Sequence, residues 1–381
     1  MVPLPPAFDL PAIHCNRSRQ LVAPSLGIIC LCGTRKICYC CRGNRAAGGG
    51  SLASLPESHL VKSDQNSVPR IIGDIGGTNA RFAVAQNGAY GELAHMPVAR
   101  YASLGEALAD YVAKLPSGLR PQQGAFAVAG PVFGDDVALT NLDWSFSIAE
   151  MKRNLGFSSL LVVNDFAATA MSVPYLPKQD CFRIGPSCPQ VTGPVGVIGP
   201  GTGLGVGALV PHRSGRLLLP GEGGHVTLPA VTAEEDRIIA VLRKRWPHVS
   251  AERALCGAGL VNLYEALCEI EGRTAESLSP ADVTGRAMDG GDATCVAAFA
   301  HFCAMLGTVA GNLALTLGAT GGIYIAGGIL LRFKEAFASS AFRERFEAKG
   351  RFEEFLSKVP TFLVLEESPA LLGLANVPLD D

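Results

Sequence analysis

The sequence predicts an α/β protein built from two related lobes, and three observations carry that expectation. A strand, a glycine-rich turn and a second strand open the chain's periodic part in RIIGDIGGTNARFAV, residues 70–84. The same design returns in VGVIGPGTGLGVGALV, residues 195–210. Helical periodicity then dominates residues 233–317, and GIYIAGG, residues 322–328, is one more apolar strand running into glycines.

Taken in order, the first hairpin is followed by the turn QNGAYG and a third strand over residues 92–99. Ser103 and Glu106 have the spacing of a capping box at the start of a helix. AFAVAG (125–130) and a short run at 136–139 read as strands, and Ser147 with Glu150 caps a second helix that Gly156 ends. LLVVN (160–164) is an apolar strand stopping at Asn164–Asp165.

With 381 residues the chain can bury more than one core. Its composition, 48% hydrophobic and 17% charged, suits a packed globular protein rather than a disordered one. A formal charge of −2, with no basic stripe, gives no footing for a nucleic-acid partner. Ala293 to Leu331 contains no Asp, Glu, Lys or Arg and is long enough for a membrane helix. His301, Thr308, Asn312 and Thr316 interrupt that run, however, and GATGG (318–322) divides it. Close packing inside a protein is the reading its small residues favour.

The first 68 residues differ from the rest. They hold Cys15, Cys30, Cys32, Cys38, Cys40 and Cys41, and Asp9 is their one acidic residue before Glu57. A targeting leader, a metal-binding tail and a functionless extension or mis-called start all compete for this segment. CxC and CxCC spacings lack the paired CxxC of a zinc ribbon, which leaves the bland reading in front. The later cysteines are scattered singly, as buried thiols of a reducing compartment are. The folded part is expected to begin near Val68.

Chemistry gathers in the loops. In the first turn, Gly76 and Gly77 allow backbone N–H groups to converge on an anion, and Thr78 and Asn79 add hydrogen bonds. Asp74 would repel a bare phosphate, so its place there suggests a divalent cation between them. Alone, this turn is as readily an ordinary hairpin as a phosphate site. The second turn, Gly199 to Gly205 around Thr202, carries no carboxylate, and the two together could grip a polyphosphate from opposite sides. Neither matches a P-loop or a Rossmann turn. Asp165, at the end of an apolar strand, is a candidate general base, and equally the cap of the following helix; Asn164 could cap while Asp165 reacts. LPGEGGHVTLP (219–229) sets Glu222 and His225 in a glycine loop, and SAERALCGAGL (250–260) adds Glu252.

GDIGGTNARFAV, LTNLDWSFSIAEMKRNLGF, VNDFAATA, GPGTGLGVGALV, LPGEGGHV, SAERALCGAGLVNLY and IAGGI, in this order, closely resemble the bacterial glucokinases of the hexokinase-like, actin-like ATPase (ASKHA) superfamily. The likeness runs from about Pro69 to Ala375. It implies two RNase H-like lobes with an ATP and sugar cleft between them: residues 69–175 with 366–381 as the smaller, and 176–365 as the larger. It implies transfer of the γ-phosphoryl group of Mg-ATP to the 6-hydroxyl of glucose, giving glucose 6-phosphate and ADP. Gly73, Asp74, Ile75, Gly76, Gly77 and Thr78 match the family's first phosphate loop, and Gly201, Thr202 and Gly203 the second. Asp165 matches the catalytic base. Asn164, Asp165, Glu222, His225 and Glu252 match the sugar ligands, and Asp74 the carboxylate that holds Mg²⁺ through water. A cytoplasmic homodimer is implied as well, with no membrane or nucleic-acid partner. After His225 the sequence VTLPAVTAEED lacks the cysteines of the ROK family's zinc motif, so a ROK-type zinc site is not expected. A sugar-sensing regulator is the rival from another class; the N-terminal residues show no two-helix pattern for reading DNA, and Asp165 speaks for catalysis.

Overall fold

The computed structural model describes residues 60–61, 68–139, 142–188, 191–213 and 215–379. The cysteine-rich stretch, and with it the leader, metal and tail readings, lies outside the described residues.

In chain order the elements are β1 (Leu60–Val61), β2 (Arg70–Ile75), β3 (Asn79–Gln86), β4 (Ala89–Tyr90), β5 (Ala94–Pro97), α1 (Leu104–Ala113), β6 (Gln123–Val128), β7 (Asp136–Ala138), β8 (Ser145–Ser147), α2 (Ile148–Asn154), β9 (Ser159–Asn164) and α3 (Asp165–Ser172). There follow β10 (Cys181–Ile184), β11 (Val195–Pro200), β12 (Leu204–His212), β13 (Gly215–Gly221), α4 (Ala233–Arg243), α5 (Gly257–Ile270), α6 (Pro280–Asp289) and α7 (Ala293–Leu317). The chain ends in β14 (Gly322–Ile325), α8 (Gly328–Leu331), α9 (Lys334–Ala338), α10 (Phe342–Glu347), α11 (Glu353–Ser357), β15 (Thr361–Val364) and α12 (Pro369–Asn376).

Among the described residues these strands form two large sheets with one shared design. In the first, β2 and β3 pair antiparallel, β5 and β4 continue the meander on β3, and β6 and β9 extend the other side parallel to β2. In the second, β11, β12 and β13 form the antiparallel meander, while β14 and β15 run parallel to β11. The repeat expected from the two glycine-interrupted hairpins is therefore a repeat of sheet topology. β1 pairs with β13 through Leu60↔Leu217 and Val61↔Arg216. The fold thus reaches back before Val68, where the sequence pattern places its start; two residues are too few to show a strand period.

The capping predictions are met with one change. Ser103 accepts from Glu106 N–H, but Glu106 Oε2 accepts from Ala102 N–H at 2.8 Å, one residue ahead of a full capping box. Ser147 accepts from Glu150 N–H, and Gly156 follows α2 at φ 69°, a conformation suited to glycine. The apolar run after Ala293 is the core helix α7, stopped by Gly318 at φ 59°, and 72% of its most apolar window is buried. Cys256, Cys268, Cys295 and Cys303 are buried free thiols.

Three hydrophobic clusters define the layers. One covers the outer face of the first sheet under α1 and α2, around Phe82, Phe126 and Met151. Another packs α4–α7 and α10 beside the second sheet. The cluster between them unites Ile72, Ala125 and Ala127 of the first sheet with Val197, Leu209 and Phe362 of the second, through residues of α3 and α12. Helix α3 touches β6 and β9 of one sheet and β11, β12 and β13 of the other. Small residues make this possible: a Cβ on Gly373 of α12 would stand 2.0 Å from the Ala168 carbonyl oxygen of α3.

Candidate active site

The parallel strands β2, β6 and β9 end in register, Ile75 beside Val128 and Val128 beside Asn164. Their carboxyl ends therefore present the first glycine turn, the loop at Gly130 and the Asn164–Asp165 pair along one edge, the place where open α/β sheets collect ligands. Gly73 and Ile75 are buried within β2, and a Cβ on Gly73 would meet the Phe82 and Phe126 rings at 2.7 and 2.9 Å. Packing alone demands glycine there. The turn proper is Gly76 to Thr78; Gly77 and Thr78 are exposed, Gly76 N–H donates to Asn79 O at 3.0 Å, and Thr78 O accepts from Val98 N–H. Asp74, 15% exposed, lies opposite Arg81 on β3 and is ion-paired with it; Arg81 also donates to Ser368 Oγ at 3.1 Å.

Asn164 and Asp165 divide their roles as two adjacent polar residues can. Asn164 Oδ1 accepts from the N–H groups of Phe166 and Ala167 at 2.8 and 3.3 Å, which makes it the N-cap of α3, and its Nδ2 donates to Gly130 O at 3.2 Å. Asp165 is thereby released from capping duty. Its carboxyl pKa is pushed up to about 6, first by burial and next by the charge of Asp74, with Glu222 adding to it; the Phe166 N–H, 2.9 Å from Oδ1, works in the opposite direction. The three carboxylates hence act on one region.

The glycines of the second turn have a second purpose. Cβ atoms on Gly199 and Gly205 would stand 2.5 and 1.7 Å from the Phe166 ring, and one on Gly207 would stand 2.6 Å from the Phe166 carbonyl oxygen. Phe166 beds into this glycine face and fixes Asp165 beside it. Only the tip remains open: Thr202 is exposed and a Cβ on Gly201 would meet nothing within 4 Å. Gly201 is fixed by its N–H to Gly203 O at 2.8 Å and by Gly257 N–H to its own carbonyl at 2.9 Å.

The remaining side chains arrive on two loops held side by side. After β13, Gly224 lies against β12, where a Cβ would stand 1.9 Å from Leu204 O. Ala251 N–H donates to Val226 O at 2.8 Å, and Leu228 N–H to Val249 O at 3.0 Å, so the Glu252 segment runs beside His225. Glu252 Oε2 accepts from Leu204 N–H at 2.9 Å, which ties this carboxylate to the second turn. Glu222 Oε2 and His225 Nε2 are 3.9 Å apart, beyond hydrogen-bond reach, and both side chains are about half exposed (47% and 58%). They remain available to a ligand. Among the described residues no hydrogen bond joins the Gly76–Thr78 turn to the Gly201–Gly203 turn.

A cavity of about 310 Å³ beside Gly201 escaped the sequence reading. Leu260, Pro280, Thr284, Gly328, Ile329 and Phe333 line it. Its one local signal is the GG that ends IAGG, with Ile329, Arg332 and Phe333 just after it; the remaining walls come from the Gly201 turn and from α5 and α6, all distant in sequence. Phe166 was also missed, since its partner glycines look complete as a phosphate turn.

The frame is that of a sugar kinase. A glucokinase from an Antarctic psychrotroph matches with a TM-score of 0.74 at 38% identity, covering 81% of this chain and 98% of that one. The glucokinase of Balamuthia mandrillaris, solved with glucose, shares the fold at TM-score 0.65 and 21% identity, over 81% of this chain and 92% of that one. The family model described as Glucokinase matches residues 71–380, and the glucokinase of Nitrobacter hamburgensis is 70% identical over 311 residues, 82% of this chain and 97% of the relative. The chain belongs to the glucokinase family.

Proposed function

We propose that this chain is an ATP-dependent glucose kinase in which Asp165 takes the proton of the sugar's 6-hydroxyl as that oxygen attacks the γ-phosphorus of ATP, giving glucose 6-phosphate and ADP. The observation that carries the reading is the Asp165 carboxyl, freed from capping by Asn164 and poised at about pH 6, where it is ionised at neutral pH and still basic enough to accept a proton. Asn164, Glu222, His225 and Glu252 hold the sugar hydroxyls. The tie from Glu252 to Leu204 N–H links the sugar's position to that of the second turn. Gly76, Gly77 and Thr78, with backbone from Gly73 to Ile75, and Gly201, Thr202 and Gly203 hold the phosphates. The cavity beside Gly201 receives the nucleoside, whose apolar faces suit its walls.

The donor set fits a magnesium ion. The charges of Asp74 and Glu222 both bear on Asp165, and Asp74, beside its Arg81 partner, would be the residue to hold a divalent cation that offsets this charge and that of the nucleotide phosphates. When bound, it neutralises charge on the phosphoryl oxygens. The protein's own work is positioning, and closure over the sugar to exclude water as a competing nucleophile. The repeated sheet topology supports two RNase H-like lobes, 69–175 with 366–381 and 176–365, flanking the site. The unpaired buried thiols and the buried α7 suit an enzyme of the cytoplasm, and the homodimer implied by the family belongs to the same reading.

The test is glucose 6-phosphate formation from glucose and Mg-ATP, with wild type and Asp165→Ala side by side and other hexoses as controls. Product from wild type alone supports the assignment. A folded wild type that binds glucose without turning it over overturns it.

A further inference from the structure

Away from the site, a groove of about 820 Å³ opens where the chain between α3 and β10, the start of β11, the end of β12 and the strands β14 and β15 meet. It shares no lining residue with the cavity beside Gly201. Its volume lies in the range of small-molecule sites. Its charge is one-sided: Lys178, Arg183 and Arg216 line it and, among the described residues, no Asp or Glu does, although the whole chain carries 34 acidic residues against 32 basic ones. Its floor is aromatic, with the Tyr324 and Phe362 rings stacked at 5.0 Å between centroids. The Arg183 guanidinium lies 4.8 Å from the Phe362 centroid, and one of its N–H groups points to Cys188 Sγ at 3.7 Å. Stacking holds the plane of Arg183 in place, and a guanidinium has five N–H donors, so most of that fork remains for an acceptor.

The geometry points to a second ligand site in this groove, for a small organic anion with a planar aromatic body. The body lies along the apolar wall that includes Leu176 and the floor rings, and its phosphate, carboxylate or sulfonate meets Arg183, with Lys178 and Arg216 as the other cations of the lining. This inference does not depend on the glucose kinase assignment, because no residue of the groove is placed in the catalytic machinery.

The probe is 8-anilinonaphthalene-1-sulfonate, titrated by fluorescence into the full chain with glucose and ADP present in excess. Wild type is compared with the double variant Lys178→Glu/Arg216→Glu, whose two positions are both exposed. Binding is expected to weaken at least about tenfold in the variant, to fall with added salt, and to be much poorer for the neutral dye N-phenyl-1-naphthylamine. Phenyl phosphate and benzoate as competitors distinguish a phosphate ligand from a carboxylate one, and glucose phosphorylation and thermal melting should stay at wild-type values. No binding by wild type, equal binding by both proteins, or equal binding of the neutral dye would overturn the proposal. Should the double variant fail to fold, Lys178→Gln alone should still weaken binding, and unchanged binding there would overturn the proposal.

Discussion

Replacing Asp165 by Asn should remove activity and make the protein more stable. The native carboxyl titrates at about 6 where an unperturbed one titrates at 3.8. The difference, about two pKa units at 1.36 kcal/mol each, corresponds to about 3 kcal/mol by which ionised Asp165 disfavours the native state. Because the folded-state pKa is raised, the native state binds the extra proton between pH 4 and 6. Relative to Asp165→Asn, wild type is therefore equally stable below pH 4, loses ground as the pH rises to 6, and stays lower above it. Urea melts at half-unit intervals from pH 4 to 8 read this directly. In parallel, glucose 6-phosphate formation should fall by about 10²- to 10⁴-fold, the span of a lost general base, and wild-type kcat/KM should rise with pH up to about 6 and then level. An Asn variant no more stable than wild type at pH 8, or more stable by the same margin at every pH, would refute the electrostatic argument. One that retained turnover would refute the base.

Three further substitutions probe the supports of the site. Gly205→Ala sets a Cβ 1.7 Å from the Phe166 ring, so stability should fall by about 1–3 kcal/mol. Its kcat should fall as Asp165 shifts, and adding Phe166→Leu should recover part of both losses in melts and turnover assays. Gly203→Ala sets a Cβ 2.5 Å from Glu252 Oε2; the displaced carboxylate leaves Leu204 N–H unpaired, lowering stability by about 1–3 kcal/mol and raising KM for glucose more than it lowers kcat. Glu235→Gln is the remote control: Glu235 is fully buried and bonded to Arg345 at 2.7 and 3.0 Å, so breaking the pair should lower stability by about 3–5 kcal/mol in urea melts with KM for glucose unchanged.

The parts of this molecule legible in the sequence are those whose causes are local. Each strand, glycine turn and strand lies within fewer than twenty residues, and Ser103 with Glu106 and Ser147 with Glu150 within four; both hairpins form and both serines cap their helices. The site residues were legible as chemistry, since a polar pair at the end of LLVVN and a carboxylate with an imidazole among glycines are odd in any core. What stayed hidden depends on contacts between distant segments. Gly199 and Gly205 read as glycines of a phosphate turn, yet their neighbour is Phe166. Gly73 reads as part of a turn, yet two phenylalanine rings cover it inside a strand. The raised pKa of Asp165 owes its charge contribution to Asp74 and Glu222, on other elements. β1 was out of reach, because two residues carry no pattern.

These hidden contacts explain how a carboxyl that burial and its neighbours disfavour stays where it is. A surface helix would relieve the strain by shifting its first turn toward water. Helix α3 cannot, because Ala167, Ala168 and Ala170 are fully buried between the two sheets, and the Gly373 contact leaves α12 no room to yield. Asn164 is the N-cap, and Asp165 Oδ1 shares the Phe166 N–H with it, a contact that holds the carboxyl at the helix start without cancelling the rise in its pKa. Phe166, seated against Gly199 and Gly205, blocks rotation of the first turn. The small residues of NDFAATA and the glycines of GPGTGLGVG thus act together: the helix packs tightly enough for the folded core to hold one carboxylate at a pKa suited to proton transfer, a position its local electrostatics oppose.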